Sequence, residues 1–539
     1  MCKKVIPRLG LAVLSCALVL TVGSSAAATD RYFDETKVTT FFAFDNVSIP
    51  FTQNLRVKMR QPEKHPANPV VARGPAGSVD AWAVQFYGSV IREGDKLRMW
   101  YAAASDLPPS GPDEPRWRPA YAESADGINW TKPNLGLVEH NGSKANNLVP
   151  IDPPQLSFLN LKVLHEPEDP DPSRRYKMTT HVYYTKERRL GTLVPFFSAD
   201  GIHWKVARPV KPIGTEIGKE DLFQPWTHFE PAGGLYKWDG LYYASGQNAV
   251  VADRPYHGRI ARAFVSGDFV NWAHANAVNF VRTAQHQLLG GGRGRDGEQT
   301  HEGVSVWHRG NVLLGIHGIW HGDMSWRNVT IDLGFLVSND GIQFREPSHE
   351  FVFIERGPDG AWDEGGLLQG QGFENIGDQT YIYYGSWDPR PHEHTDRPLP
   401  VRGGVGLVTL PRDRFGDLVL EPSGLGAGSY HIPADEAVVE FMTKSIEVPA
   451  GTAPRFHFNV DGLGPQAAIR VELLAHDLKP LPGFSGKDAA VVRQNGFQVP
   501  VAWSGRTAIG GLPDRVRLRA VYEGTRRQDI RFSALYIRN

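Results

Sequence analysis

Carboxylates next to strand patterns are the residues of this 539-residue chain best suited to proton chemistry. Glu302 lies in the string Gln-Thr-His-Glu-Gly, directly before an apolar strand pattern, and Glu230 has a similar place in Thr-His-Phe-Glu-Pro. Asp80 stands shortly before a third strand pattern. A neutral carboxyl donates a proton and an ionised one accepts it, so all three are candidates for general acid–base catalysis. The competing interpretation is structural: a carboxylate tied to backbone amides, or one in a surface loop.

A phrase repeated four times indicates which elements must position these carboxylates. It reads Ser-x-Asp-(Gly)-x-x-aromatic at residues 124–130, 198–204, 266–272 and 338–344. Copies recur about every 70 residues, which is the signature of a repeat architecture. Ser and Asp bond back to nearby backbone and Gly supplies a positive φ, so the phrase predicts hairpins. The Asp residues of these hairpins are therefore not catalytic candidates.

Five strand-rich units lie between residues 76 and 425. Each contains two apolar or aromatic strands joined by a turn of Gly, Asp, Asn or Pro, such as Asp239-Gly240 and Gly377-Asp378, which is a hairpin signal. The first four units then add a strand and the Ser-x-Asp hairpin. Four strands per unit and five units predict a five-bladed β-propeller.

The ends of the chain have a different character. Residues 437–539 contain short alternating strands between Gly/Pro turns, which predict a C-terminal β-sandwich after a Gly-rich linker near residues 422–428. Residues 29–75 are predicted to form an irregular N-terminal strap. The fold class predicted from the sequence is therefore all-β: a propeller followed by a sandwich.

The first 28 residues are predicted to be a signal peptide. Basic residues up to Arg8 precede an apolar run over residues 9–22 and small residues at 24–28. Both cysteines, Cys2 and Cys16, lie in this segment, so the mature chain would have no disulfide. The sequence predicts a secreted or periplasmic protein.

Composition excludes some partners. With Lys+Arg 58 and Asp+Glu 59 the formal charge is −1, so nothing indicates nucleic acid or an anionic membrane as a partner. No second stretch is long and apolar enough to suggest a membrane span. His301, His317 and His321 lack the tight spacing of helical metal ligands, so neither a metal nor a cofactor is predicted.

The layout of a secreted five-bladed propeller with a small C-terminal β-sandwich resembles the superfamily of glycoside hydrolase families 32, 43, 62 and 68. The resemblance covers nearly the whole mature chain and is greatest to invertase-like and family 43-like proteins. It rests on architecture, because the chain has neither an Asn-Asp-Pro-Asn-Gly string near the first unit nor an Arg-Asp-Pro followed by Glu-Cys.

The resemblance implies a glycoside hydrolase with carboxylates at a central funnel. In that superfamily one Asp is base or nucleophile, a second Asp orients and tunes, and a Glu is the acid, because the leaving oxygen must be protonated while the sugar is attacked. Carried onto this chain, the acid is Glu302 or Glu230 and the base or nucleophile is Asp80.

Aromatic and polar residues near the ends of the fourth and fifth units suit a sugar site, where rings stack on sugar faces and polar groups bind hydroxyls. The predicted substrate-binding residues are His301, Trp320, His321, Asp323, Trp387 and Glu364. For Trp320 and Trp387, core packing is the competing interpretation.

The leading hypothesis is thus an exported hydrolase of an oligo- or polysaccharide. One alternative is a non-catalytic carbohydrate-binding propeller, with aromatic residues dominating its pocket. Another is a phosphorylase of the family 130 type, suggested by Asn68-Pro69. Phosphorolysis would need cationic side chains converging on phosphate, and export away from cytosolic phosphate argues against it.

Overall fold

The structure is a computed structural model. It describes residues 35–108, 115–154, 156–158, 160–183, 191–211, 215–216, 218–224, 229–248, 259–282, 297, 299–322, 328–349, 351–390, 402–421 and 437–539, all within one compact unit, residues 34–539. The predicted signal peptide, the predicted sugar-binding residue Asp323 and the Gly-rich linker lie outside the described residues.

Nearly all regular structure in the described residues is β-strand. Four strands precede residue 76: β1 (Thr39–Phe42), β2 (Phe51–Gln53), β3 (Leu55–Met59) and β4 (Glu63–Lys64). The short 3-10 helices described are Glu35–Lys37, Pro172–Arg174, Lys219–Asp221, Gly486–Asp488 and Arg527–Asp529.

The middle of the chain forms five successive strand groups. Group 1 has β5 (Ala83–Glu93), β6 (Lys96–Ala104) and β7 (Arg118–Ser124). Group 2 has β8 (Ile151–Asp152), β9 (Leu161–His165), β10 (Tyr176–Tyr183), β11 (Gly191–Ser198) and β12 (Trp204–Val206). Group 3 has β13 (Glu230–Trp238), β14 (Leu241–Asn248), β15 (Ile260–Ser266) and β16 (Ala277–Phe280). Group 4 has β17 (Gln299–His308), β18 (Leu313–His321), β19 (Thr330–Ser338) and β20 (Val352–Ile354). Group 5 has β21 (Leu367–Leu368), β22 (Gln371–Ile376), β23 (Gln379–Ser386), β24 (Arg402–Gly403) and β25 (Val405–Pro411).

One strand of each group contributes to a closed ring. Strands β5, β9, β13, β17 and β22 contact one another in that order, and β22 contacts β5 again. Strands β9, β13 and β17 are edge strands of their sheets, whereas β22 and β5 pair in parallel and join groups 5 and 1 into one sheet. This arrangement is consistent with the predicted propeller, in which one strand per blade lines a central axis.

The four repeated phrases form the predicted turns. Ser124 Oγ donates to Asp126 Oδ1 at 3.0 Å and accepts the Gly127 N–H at 2.9 Å. Asp126 Oδ1 also accepts the N–H groups of Ile128 and Asn129. Equivalent Asp–backbone bonds surround Asp200, Asp268 and Asp340. The prediction that these Asp residues are structural is confirmed by their bonding.

Each of these hairpins also bonds to the preceding group around the ring. In each case a side chain of the preceding group donates to a backbone oxygen of the hairpin: Tyr383 to Gly127 at 2.7 Å, Trp100 to Gly201 at 2.7 Å, Arg174 to Asp268 at 2.7 Å and Tyr236 to Gly341 at 2.9 Å. The repeated phrase therefore holds neighbouring groups together as well as turning the chain.

The turn after β25 connects group 5 to group 4 through a buried ion pair. Arg309, between β17 and β18, donates two bonds to Asp413 at 2.6 and 2.9 Å. Both side chains are about 1% exposed. Tyr536 Oη adds a bond to Asp413 at 2.8 Å, so this pair also connects the ring to the C-terminal strands.

Two further sheets are built from both ends of the chain. Their later strands are β26 (Gly416–Leu420), β27 (Glu440–Met442), β28 (Ile446–Glu447), β29 (Arg455–Asp461), β30 (Ala468–Ala475), β31 (Ala490–Val492), β32 (Gly496–Pro500), β33 (Arg515–Glu523) and β34 (Arg531–Arg538). One sheet runs β3-β26-β34-β29-β32 with β1 paired to β34, and the other runs β2-β27-β33-β30-β31 with β28 paired to β33.

A single apolar cluster joins these two sheets, with Phe41, Phe458, Trp503 and Phe532 among its members. The arrangement is consistent with the predicted sandwich. The segment expected as an irregular strap differs from that expectation, because β1, β2 and β3 pair with C-terminal strands through long-range hydrogen bonding.

The predicted all-β class is confirmed for the described residues. The domain limits at residues 76, 425 and 437 remain predictions. Within the part of the chain that is described, no helix has the length and apolar character needed to cross a membrane.

Candidate active site

Glu302 occupies an irregular position near the start of β17. The pairing of β17 with β18 shifts between His301 and Val304, so Glu302 and Gly303 form a β-bulge. Glu302 has φ +60° and Gly303 has φ +82°. A positive φ is uncommon in a residue with a side chain, and bulges often redirect a side chain next to a functional site.

Close approach of three strands brings a second carboxylate to Glu302. A Cβ on Gly303 would lie 2.6 Å from the Cα of Gly246 in β14. A Cβ on Gly246 would in turn overlap the backbone oxygen of Glu230, the first residue of β13. Because only glycine fits at these two positions, β13, β14 and β17 can meet there. The Glu230 and Glu302 carboxyl groups lie close enough together to bond to one side-chain nitrogen, that of Gln247.

Gln247 of β14 ties the two carboxylates together. Its Nε2 donates to Glu230 Oε2 at 2.5 Å and to Glu302 Oε1 at 3.1 Å. Its Oε1 accepts the backbone N–H of Glu302 at 3.0 Å and a bond from Arg259 at 3.3 Å. A backbone N–H can only donate, so this contact fixes which end of the amide faces the carboxylates.

The surroundings of Glu302 favour its neutral form. Burial raises the pKa of its carboxyl well above the usual value, and the charge of Glu230 raises it further. Arg259 and Lys162 oppose this rise through their positive charges, whereas the hydrogen bond with Glu230 supports it. Glu302 Oε2 is buried and has no hydrogen-bond partner among the described residues. A second carboxylate nearby is a general cause of such a rise, because two like charges resist ionising together.

Aromatic rings and a neutral histidine form the wall beside this pair. His301 is buried, and its Nδ1 lies 3.3 Å from Tyr87 Oη. Burial lowers its pKa well below the usual value, and Arg259 lowers it further, against an opposing effect of Glu230. The His301 ring lies 5.3 Å from that of Trp320 and 5.9 Å from that of Trp387.

The two tryptophans predicted to stack on sugar rings are mostly buried. Trp320 is 2% exposed and Trp387 is 8% exposed. The guanidinium of Arg259 lies 4.1 Å from the centre of the Trp320 ring, which places a cation between that ring and Gln247. The structure brings His301, Trp320 and Trp387 together with Glu230 and Glu302, and their roles in binding sugar remain predictions.

A second layer of polar groups supports the bulge. Gln369 Nε2 donates to the backbone oxygens of His301 and Gly303, on either side of Glu302. Lys162 is fully buried and donates to the backbone oxygen of Gln369 at 3.1 Å and of Gly88 at 3.4 Å. Burial lowers the Lys162 pKa well below its usual value, opposed by the charge of Glu302.

Asp80 has other partners. It is 2% exposed and accepts bonds from Lys132 at 2.5 Å and from Tyr101 Oη at 2.8 Å. It lines a separate cavity of about 320 Å³ with Lys132 and Asn147. None of the bonds described for Asp80 involves the Glu230–Glu302 pair, so its assignment as base or nucleophile remains a prediction.

The two other predicted binding residues that the structure describes, Glu364 and His321, contact charged side chains. Glu364 contacts Arg390 at 3.2 Å. His321 Nε2 lies 3.0 Å from Asp332, which also binds Arg356. Among the described residues, no cluster of three or more His, Cys, Asp or Glu side chains is placed to hold a metal ion.

Comparison with known proteins gives matches in structure alone. Neither a protein-family model nor a curated protein matches the chain. One similar solved structure concerns glycoside hydrolase family 130 of mannoside phosphorylases, which contains glycoside hydrolases that target β-1,2 mannosidic linkages in Candida mannan. Its TM-score is 0.40 at 17% identity, covering 66% of this chain and 95% of that one.

A glycosyl hydrolase from Bacteroides ovatus aligns with TM-score 0.43 at 15% identity, over 66% of this chain and 95% of its own. An N-acetylgalactosamine deacetylase from F. plautii, in complex with blood group B trisaccharide, aligns with TM-score 0.41 at 14% identity, over 67% and 96%. At these TM-scores the likeness alone establishes neither a common fold nor a common activity.

Proposed function

We propose that this chain is an exported carbohydrate-active enzyme that hydrolyses a glycosidic bond, with Glu302 as the general acid. The observation that carries the proposal is the buried Glu302 carboxyl, which lies against Glu230 and whose Oε2 has no described partner. Glycosidic cleavage needs a carboxylic acid that is still protonated near neutral pH, because the leaving oxygen must receive a proton as its bond to the anomeric carbon breaks.

Glu230 has a different role in this proposal. Carboxylates that act on opposite sides of a scissile bond stand about 5–5.5 Å or about 6.5–9.5 Å apart. One nitrogen, Gln247 Nε2, bonds to an oxygen of Glu230 and to an oxygen of Glu302, at 2.5 and 3.1 Å, and in this proposal both carboxyls lie on the same side of the bond. Glu230 therefore keeps the proton on the pair, and the attacking water approaches the sugar from the other side. That water loses a proton after attack, and the pair then recovers one from solvent.

The architecture proposed for this activity is a five-bladed β-propeller with a β-sandwich. Support comes from the closed ring of five strands and from the hydrogen bonds and ion pair that connect successive groups. The Glu230–Glu302 pair lies near the starts of two neighbouring strands of that ring, β13 and β17. The basic and apolar pattern of residues 1–28 supports export.

Two substrates with different leaving groups test the assignment. Glu302→Gln should lower kcat/KM about 10²–10⁴-fold on a natural oligosaccharide. The same variant should lose much less kcat/KM on a dinitrophenyl glycoside of the same sugar, whose leaving group needs no proton. Glu346→Gln is the matched control, since the Glu346 side chain is also mostly buried and lies in group 4 but bonds to Arg282 and His349.

The proposal fails if Glu302→Gln, folded by circular dichroism, retains full activity on the oligosaccharide. Equal losses on both substrates would remove the acid role. Product formation that requires inorganic phosphate would identify a phosphorylase. Saccharide binding without bond cleavage, across plant and algal polysaccharides, would identify a binding protein.

A further inference from the structure

A cavity lies toward the other ends of the strands that carry the carboxylate pair. Its volume is about 670 Å³, within the range of small-molecule sites, about 300–1,000 Å³. Glu230 and Glu302 stand at the starts of β13 and β17, whereas the cavity is lined by later residues of these strands, including Trp238 and His308. Residues of β5, β9 and β22 complete its wall.

Hydrogen bonds across the ring lie between the cavity and the carboxylate pair. Gln371 of β22 bonds to both the N–H and the oxygen of Leu235 in β13, at 2.9 and 2.7 Å. Lys162 of β9 reaches the oxygen of Gln369, just before β22. In both cases the bonded strands are not neighbours in the ring, so these side chains cross its axis. The cavity is therefore distinct from the site around Glu302.

Aromatic residues and an ion pair form part of the cavity wall. Trp307 and Phe373 stack with ring centres 5.6 Å apart and an interplanar angle of 7°. Trp307 and Trp238 are half-buried, so part of each indole remains accessible. Glu374 and Arg92 form an ion pair at 3.5 Å, with side chains 19% and 18% exposed. An apolar wall with a few fixed polar groups is typical of a small-molecule site.

The charges of the wall argue against an anionic ligand. Carboxylates outnumber cationic side chains among the lining residues: Glu166, Glu168, Asp239 and Glu374 against Arg92 and Lys237. A bound cation is not needed to balance these charges either, because Glu166 bonds to Lys177 and Lys237 and Glu374 pairs with Arg92, whereas Glu168 and Asp239 are exposed to solvent. A neutral ligand with hydroxyl groups fits both observations.

Glu374 has the chemistry to serve such hydroxyl groups. Burial raises its pKa to about 7, with Arg92 lowering it and Glu35 raising it. Near neutral pH the carboxyl is therefore about half protonated, so it can donate as well as accept a hydrogen bond. Sugar hydroxyls also do both.

We propose that this cavity is a second binding site, separate from the Glu302 site, for a neutral saccharide. The aromatic rings contact apolar sugar faces, and the Glu374–Arg92 pair bonds to hydroxyls. Binding at this cavity does not depend on catalysis. In the enzyme proposed above, the cavity would hold one part of a glycan while the Glu302 site acts on another part.

Calorimetry with a protein that cannot turn over its substrate tests this site. Glu302→Gln protein is titrated separately with neutral hexasaccharides of glucan, mannan, galactan and xylan. At least one should bind, and at pH 8, where the Glu374 carboxyl is mostly ionised, adding Glu374→Gln should weaken that binding about five- to tenfold, because the amide keeps a hydrogen bond but loses the added strength of a bond to a charged group. Glu472→Gln is the matched control, because Glu472 is also buried and paired with arginine but belongs to the C-terminal sheets.

Hydrogen–deuterium exchange locates the ligand and covers the case that Glu374→Gln does not fold. The bound hexasaccharide should protect residues 163–168, 235–240 and 306–308. Absence of binding by all four neutral hexasaccharides would overturn the proposal, as would binding of only an acidic oligouronide. Protection confined to residues 229–233 and 299–303, with equal affinity in the Glu374 variant, would also overturn it. Neither experiment measures cleavage. The result for this binding site can therefore be interpreted even if the proposed hydrolase activity is not found.

Discussion

Replacing Gln247 by Met should move the alkaline limb of the pH–activity profile. Gln247 donates to Glu302 Oε1 and Glu230 Oε2, and hydrogen bonds to a carboxylate favour its ionised form. Without them, the pKa of Glu302, already raised, rises further, and the acid stays protonated to higher pH. A hydrogen bond to a charged group is worth about 1.5–3 kcal/mol, and 1.36 kcal/mol corresponds to one pKa unit. The limb should therefore shift upward by about one unit or more.

The same substitution has a structural cost that must be measured separately. Gln247 Oε1 accepts the backbone N–H of Glu302, and leaving that group without a partner costs about 1–3 kcal/mol. Gln247→Met should thus unfold at lower urea concentration than the wild type. Gln224→Met is the matched control, because Gln224 is also a buried amide but bonds to Thr192.

The assay is kcat/KM as a function of pH, on a substrate whose leaving group needs protonation. Gln224→Met should lose stability without moving the alkaline limb. An unchanged limb in folded Gln247→Met would refute the view that this amide tunes the acid. A shift to lower pH would refute the sign of the argument.

Three further substitutions test the structure around the site. Gly303→Ala should cost at least about 2 kcal/mol and reduce activity, because its φ is +82° and its Cβ would lie 2.6 Å from Gly246; a wild-type urea midpoint would contradict this. Arg309→Met leaves Asp413 buried without its main partner, so chemical unfolding should show a loss of about 3–5 kcal/mol, and a loss below about 1 kcal/mol would contradict a structural role. The pKa of Asp126 is lowered from 3.8 to about 2, since burial raises it but the bonds from Asn129 and neighbouring groups lower it more. Its stabilisation is present above pH 3.8 and is lost as pH falls toward 2, so Asp126→Asn should flatten the stability–pH curve in that window, and parallel wild-type and variant curves would disprove it.

Local chemistry explains what the sequence could predict. The Ser-x-Asp turns depend on side chains that bond within a few residues, as Asp126 does with Ile128 and Asn129. Alternating strands depend on neighbours in sequence as well. For these reasons the all-β class and the four hairpins could be predicted from the sequence. Glu230 and Glu302 could be chosen because each precedes an apolar strand.

Long-range contacts explain what the sequence did not show. Gln247 meets Glu302 across 55 positions of sequence, and Arg259, just before β15, and Lys162 of β9 act on the same site from elsewhere in the chain. Nothing in the residues around Gln247 distinguishes it from any other glutamine at the end of a strand. The pairing of β1 with β34 has the same origin, because strand partners distant in sequence leave no local pattern.

Several costly features meet at one place in this molecule, and their coincidence is the strongest physical reason to regard that place as functional. Glu302 holds a positive φ, and its Oε2 has no described partner. Lys162 is fully buried beneath the same bulge, and its described hydrogen bonds go to backbone oxygens. Strained backbone and incompletely paired buried polar groups each reduce stability, and apolar residues would fill this space at lower cost. By contrast, the buried Arg309–Asp413 pair has complementary bonds on both sides, as expected of a structural element. Glu302 keeps one oxygen without a described partner, while the Gln247 amide beside it bonds to both carboxyls. A carboxyl held in place with one oxygen still unpaired suits a proton donor that awaits its substrate.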